Sequence, residues 1–198
     1  MEDLAAVITA TGSSASVYGI SSGAALALRG AAAGLRIERL ALYEILSATE
    51  TAEQAEQARV LREIETAVAA GRRGHAVRLF LRLVGLPRFV VALMRFLPVW
   101  SKLTAVAHTL PYDLTAIGAV DPELLPSSPR WASVRVPSLA VAGSKSPESL
   151  RAPTRAVADA LPDATFEILP GQDHMVDAAV LAPVLTRLFT ARTAPTRT

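Results

Sequence analysis

Residues 15–34 constrain the fold more than any other part of the chain. A short strand, Ala15 to Ile20, leads without a spacer into Ser21-Ser22-Gly23. An Ala/Leu-rich helical stretch from Ser22 to Ala33 follows, and Gly34 stops it. A strand that passes straight into a helix must reverse direction within two or three residues. Gly19-Ile20-Ser21-Ser22-Gly23 fits the pattern G-x-S-x-G with Ser21 at its centre. In that pattern a serine on a strained turn is lifted above the sheet, and the residues two away must lack clashing side chains. The first turn of the helix then offers backbone N–H groups to developing negative charge. Moving the centre to Ser22 loses both flanking glycines, so Ser21 is the candidate nucleophile and the Ser22 N–H the candidate oxyanion donor.

The rest of the chain extends this unit into an α/β fold. A short helix, Glu2 to Thr11, precedes the first strand, and Ile37 to Tyr43 is the second strand. Strand, helix and strand with short connections make a βαβ unit and hence a parallel sheet. From Thr51 to Ile117 no strand-like run occurs, and the segment reads as four helices punctuated by Gly71, Gly74, Pro87, Pro98 and Pro111. Val60, Leu61, Ile64, Ala67 and Val68 recur there at helical spacing. Pro122 to Pro129 is the linker back to the sheet, which resumes with a buried strand over 137–143. A helix over 149–161, a strand over 165–169, a loop over 170–175 and a closing helix over 178–189 complete it. The tail, 190–198, is polar. The expected fold class is α/β, a mostly parallel sheet of about four strands built from 1–50 and 118–198, with a helical insertion over 51–117.

His174 lies in Leu169-Pro-Gly-Gln-Asp-His174, the loop after the last strand. A general base for Ser21 must hang from the carboxyl ends of the strands, which is where this loop falls.

Composition removes several function classes. A 198-residue chain with 51% hydrophobic and 19% charged residues folds rather than staying disordered. Net charge is +2, and no run of cations is interleaved with aromatics, so nucleic acid is not an expected partner. With no cysteine, and with His75, His108 and His174 far apart, neither a metal nor a thiolate site is expected, and no cofactor is implied. Met1-Glu-Asp-Leu has no basic region of a signal peptide, and Leu79 to Trp100 is interrupted by Arg82, Pro87, Arg88, Arg95 and Pro98. The expectation is a cytoplasmic protein with no membrane partner. Eighteen Arg against two Lys, beside abundant Ala, fits a GC-rich bacterial genome.

Val17-Tyr-Gly-Ile-Ser-Ser-Gly-Ala-Ala-Leu-Ala-Leu28, Leu40-Ala-Leu-Tyr-Glu44, Val136-Pro-Ser-Leu-Ala-Val-Ala-Gly143 and Gly171-Gln-Asp-His174 resemble successive signatures of one α/β-hydrolase subfamily. The resemblance also covers His108-Thr-Leu-Pro-Tyr-Asp113. It implies that the strands here are the family's last four and that 51–117 is its cap. It further implies a serine hydrolase acting on a small ester or related acyl substrate, with Ser21 attacking and His174 as base then acid.

Two departures from the family pattern bear on that reading. The family's usual acid position points at Ser146, in Gly143-Ser-Lys-Ser-Pro147, which cannot carry the charge. Glu44, at the end of the second strand, is the better substitute, whereas Glu148 begins a helix, where the helix dipole equally explains an acid. Asp113, a cap residue with a weaker claim to be the acid, is assigned with Trp100 to substrate binding, and Leu79, Phe80, Phe89, Met94 and Phe96 are expected to line an acyl pocket with Trp100. The second departure is the absence of the family's first strands and of the loop that donates the other half of its oxyanion hole. The strand Ala15–Ile20 thereby becomes an edge, which a homodimer or a separate N-terminal partner would cover. The rival function is a catalytically degenerate member with a binding or auxiliary role, or a lyase or cyclase that uses His174 alone.

Overall fold

A computed structural model describes residues 1–46, 51–117 and 128–191. They fall into two compact units, one formed by 1–46 with 128–191 and the other by 51–117.

The first unit is a four-stranded parallel sheet with helices, the α/β class expected. Its elements are α1 (Glu2–Ala10), β1 (Ala15–Ile20), α2 (Ser22–Ala32), β2 (Ile37–Tyr43), β3 (Ser138–Gly143), α8 (Glu148–Ala160), β4 (Ala164–Leu169) and α9 (Ala178–Thr190). Strand order follows the sequence, β1-β2-β3-β4, and all three pairings are parallel. Parallel strands covered on both faces read as continuous apolar runs. That is why Leu40-Ala-Leu-Tyr43 of β2 and all six residues of β3 are buried. Tyr43, Leu139, Val141 and Leu169 pack with Leu181 and Val184 of α9. Each side chain of this size contributes roughly 1.5–3 kcal/mol on burial.

Register decides where the chemistry falls. Ile20 pairs with Tyr43, Tyr43 with Val141, and Gly143 with Leu169. β1 and β2 therefore end level with each other, β3 and β4 end level two residues further on, and the residues that follow all four gather along one edge of the sheet. Those residues are Ser21, Glu44, Ser144 to Ser146, and the loop leading to His174. Among the described strands β1 pairs with β2 alone.

The second unit is helical: α3 (Thr51–Ala69), α4 (Arg73–Leu83), α5 (Arg88–Met94), α6 (Val99–Ala105) and α7 (Leu110–Ala116), with a single 3₁₀ turn at Ala107–Thr109. Five α-helices thus stand where four were expected. Pro98 and Pro111 each open a helix, where a missing N–H costs nothing. Gly74, read from sequence as punctuation, lies inside α4, where a Cβ would sit 3.4 Å from the Trp100 ring. Val60, Leu61, Ile64 and Ala67 are buried as their spacing requires, and Val77, Leu81, Val91 and Ala107 form a second cluster. Residues 122–127 of the expected linker, and 192–198 of the expected tail, lie outside the described residues. Among the described residues no helix is long and apolar enough to cross a membrane.

Candidate active site

Ser21 occupies the turn between β1 and α2 with φ 57° and ψ −125°, a left-handed φ that a residue with a side chain adopts only under constraint. The constraint comes from β2. Ser21 N–H donates to Tyr43 O at 3.0 Å, and Ser21 O accepts from Ala24 N–H at 3.1 Å. Ser21 O also accepts from Leu46 N–H at 3.4 Å. The turn is thereby fixed to the end of the neighbouring strand.

The two glycines of the motif are not equivalent, which corrects the symmetrical reading from sequence. A Cβ on Gly19 would lie 2.4 Å from Gly23 O and 2.7 Å from Ala24 Cα, whereas one on Gly23 would meet nothing within 4 Å. Gly19 leaves room for the helix backbone to fold back over the strand, and it is the backbone of Gly23, not its missing side chain, that fills that room.

Glu44 follows β2, also with a left-handed φ, of 44°. Its N–H donates to Val141 O at 2.9 Å, and the next N–H, of Ile45, donates to Thr154 Oγ1 at 3.0 Å. Thr154 is itself buried and donates to Leu150 O at 2.7 Å, so α8 fixes the backbone beside the acid. The Glu44 carboxylate is fully buried and satisfied on both oxygens. Oε1 accepts from Gly143 N–H at 2.8 Å and from the Ser146 hydroxyl, and Oε2 accepts from His174 Nδ1 at 2.8 Å. Burial pushes the carboxyl up, but the hydrogen bonds from His174, Ser146 and Gly143 outweigh it and hold the group below the ordinary glutamate value. A buried carboxylate persists only with such partners. Ionised, it fixes the proton of His174 on Nδ1 and leaves Nε2 as the basic nitrogen.

The loop that carries His174 is tied to the same strand ends. Tyr43 OH donates to Asp173 O at 2.6 Å, and Lys145 N–H donates to Gln172 O at 2.8 Å. Burial and the nearby Glu44 charge push the Tyr43 phenol up, so it remains a donor. Within the loop Asp173 Oδ1 accepts from Met175 N–H and Gln172 Oε1 from Asp177 N–H, each at 2.8 Å. Gly143 makes the approach possible, since a Cβ there would lie 2.3 Å from Gln172 O.

The structure therefore joins Glu44 to His174 and seats Ser21 on the adjacent strand end. Ser22 is the first residue of α2. Glu148 is exposed and pairs with Arg151 at 2.9 Å. Trp100 packs on Gly74 and on the Val77–Leu81–Val91–Ala107 cluster, and Asp113 lies in the first turn of α7. Both belong to the helical unit. Sequence reasoning did not find Gly143, Thr154 or the role of Tyr43. Ser146, which occupies the family's usual acid position, donates its hydroxyl to Glu44.

A solved α/β hydrolase from Sphaerobacter thermophilus DSM 20745 is 39% identical to this chain, with a TM-score of 0.78 over 96% of this chain and 72% of that one. This chain belongs to the α/β-hydrolase superfamily. Two more distant solved structures share the fold. One is an enzyme from a Medee basin deep-sea metagenome library, 15% identical with a TM-score of 0.64 over 100% of this chain and 73% of that one. The other is MenH from S. aureus, 18% identical with a TM-score of 0.63 over 94% and 73%. No protein-family model matches the chain, and no curated protein matches it.

Proposed function

We propose that this α/β-hydrolase is a serine hydrolase acting on a small ester or related acyl substrate, with Ser21, His174 and Glu44 as its catalytic residues. The observation that carries the reading is the buried Glu44 carboxylate bonded to His174 Nδ1 at 2.8 Å. Such a pair orients an imidazole and stabilises its cationic form, and a histidine with no nucleophile to serve has little use for it. Ser21 Oγ attacks the acyl carbon while its proton passes to His174 Nε2. The tetrahedral oxyanion takes a hydrogen bond from the Ser22 N–H, at the positive end of α2. The carbon–oxygen bond to the leaving alkoxide then breaks, and that oxygen receives the proton from His174. Water, deprotonated by the same nitrogen, attacks the acyl-Ser21 ester, and the acid product leaves with Ser21 Oγ reprotonated. Asp113 and Trp100 of the helical unit are assigned to substrate contact, as the resemblance implies, and the helical unit itself is read as the cap.

Intact-mass analysis after treatment with a fluorophosphonate tests the proposal. The expected result is one adduct per chain that is absent from Ser21→Ala. Folded wild-type protein that takes up no adduct overturns it and leaves a degenerate scaffold, or a His174-dependent lyase or cyclase, in its place.

A further inference from the structure

Between Glu65 and Asp113 the sequence contains no acidic residue, while Arg72, Arg73, Arg78, Arg82, Arg88, Arg95 and Lys102 are all cations. The whole chain carries a net charge of only +2, so this stretch concentrates positive charge that the remainder offsets. Arg78 lies 3.4 Å from His75 Nδ1, and none of these cations forms an ion pair among the described residues.

The same stretch exposes several of its large apolar side chains. Of α5 only Val91 is buried, and α6 buries no residue. Phe89 is 75% exposed, Leu93 63%, Phe96 84% and Leu97 49%. Met94 and Trp100, expected with Phe89 and Phe96 in one acyl pocket, are partly buried against the helical unit's own core. Exposed Arg88, Arg95 and Lys102 recur every seven residues and alternate with the exposed Phe and Leu. Apolar bulk interleaved with unpaired cations needs a complement that is itself apolar and anionic. A second copy of this face does not qualify, because a self-complementary contact would bring its cations together.

We propose that the α5–α6 segment is an interfacial anchor that lies on an anionic lipid surface. Phe89, Leu93, Phe96 and Leu97 would enter the boundary between headgroups and acyl chains, with Arg88, Arg95 and Lys102 among the headgroups. Among the described residues no helix is fit to span a membrane, but lying in the interface requires no span.

The test is co-sedimentation of the full chain with vesicles of phosphatidylcholine alone and of phosphatidylcholine mixed with phosphatidylglycerol. Three interfacial cations correspond to roughly a hundredfold tighter partitioning onto the anionic vesicles, and added salt should erase that preference. R88A/R95A/K102A should bind both vesicles equally weakly, and Phe89→Ser/Phe96→Ser should lose binding to both. All five positions are exposed, so circular dichroism should read native for each variant. Absence of wild-type binding to the anionic vesicles overturns the proposal. So does equal binding to the two compositions, or wild-type behaviour of either variant.

Discussion

Gly143→Ala tests how the acid and the base are held together. The added methyl carbon would lie 2.3 Å from Gln172 O, 2.5 Å from Gln172 C and 2.8 Å from Asp173 N. All three are backbone atoms, so no side chain can swing away. The Gln172 carbonyl must withdraw by about 0.7 Å to reach even 3.0 Å, below which real Cβ contacts essentially never occur. That shift pulls on the Lys145 N–H bond to Gln172 O and on the Tyr43 hydroxyl bond to Asp173 O, and it carries His174 with it. It also disturbs the Gly143 N–H bond to Glu44 Oε1. Forcing a methyl into a packed site costs about 1–3 kcal/mol, and for a chain of this size roughly 2–4 °C of Tm accompanies each kcal/mol. A melting point lower by roughly 2–12 °C is therefore expected. Displacing a catalytic group by about 1 Å costs on the order of a hundredfold in rate. Fluorophosphonate labelling of the folded variant should slow accordingly. A Gly143→Ala protein that melts and labels like wild type would refute the reasoning, because the close approach of loop to strand would then hold nothing in place.

Other consequences follow from the same geometry. Gly19→Ala should lose about 1–3 kcal/mol in urea unfolding, since its Cβ would meet Gly23 O at 2.4 Å, whereas Gly23→Ala, in open space at the start of a helix, should stay within about 1 kcal/mol of wild type. Because hydrogen bonds hold the Glu44 carboxyl below its ordinary value, its stabilising contribution is whole above the unfolded pKa of about 4.3 and is lost as pH falls through the folded value. Urea midpoints should thus fall less steeply with acidification in Glu44→Gln than in wild type. Ser146→Ala removes one donor from that carboxylate, so it should cost roughly 1.5–3 kcal/mol and move the acid limb of the stability profile to higher pH.

The sequence revealed most where periodicity is local. The limits of β2 were legible because the apolar residues Ile37, Leu40, Ala41 and Leu42 lie between a helix-stopping Gly34 and the start of a segment with no strand-like run. The Ser21 elbow was legible because strand, motif and helix are contiguous. The acid was harder to place. Glu44 at a strand end reads equally well as a solvated carboxylate. What makes it buried and bonded comes from Gly143, Ser146 and His174, about a hundred residues and more along the chain. The number of helices in the second unit was misjudged because a proline that opens a helix and one that ends it look alike without the backbone. The apolar residues of that unit were read as one lining. Exposure divides them into Met94 and Trp100, which pack inward, and Phe89 and Phe96, which do not.

The central claim is that Glu44 serves as the acid that orients His174 for Ser21. It is tested most directly by the rate at which a fluorophosphonate labels Ser21 in Glu44→Gln and Glu148→Gln, with folding checked by circular dichroism. The account predicts a loss of roughly 10³- to 10⁴-fold for Glu44→Gln, because a neutral amide no longer favours the Nδ1–H tautomer or stabilises the imidazolium. Glu148→Gln should label at the wild-type rate. Wild-type labelling of Glu44→Gln, or a comparable loss in Glu148→Gln, would contradict the assignment.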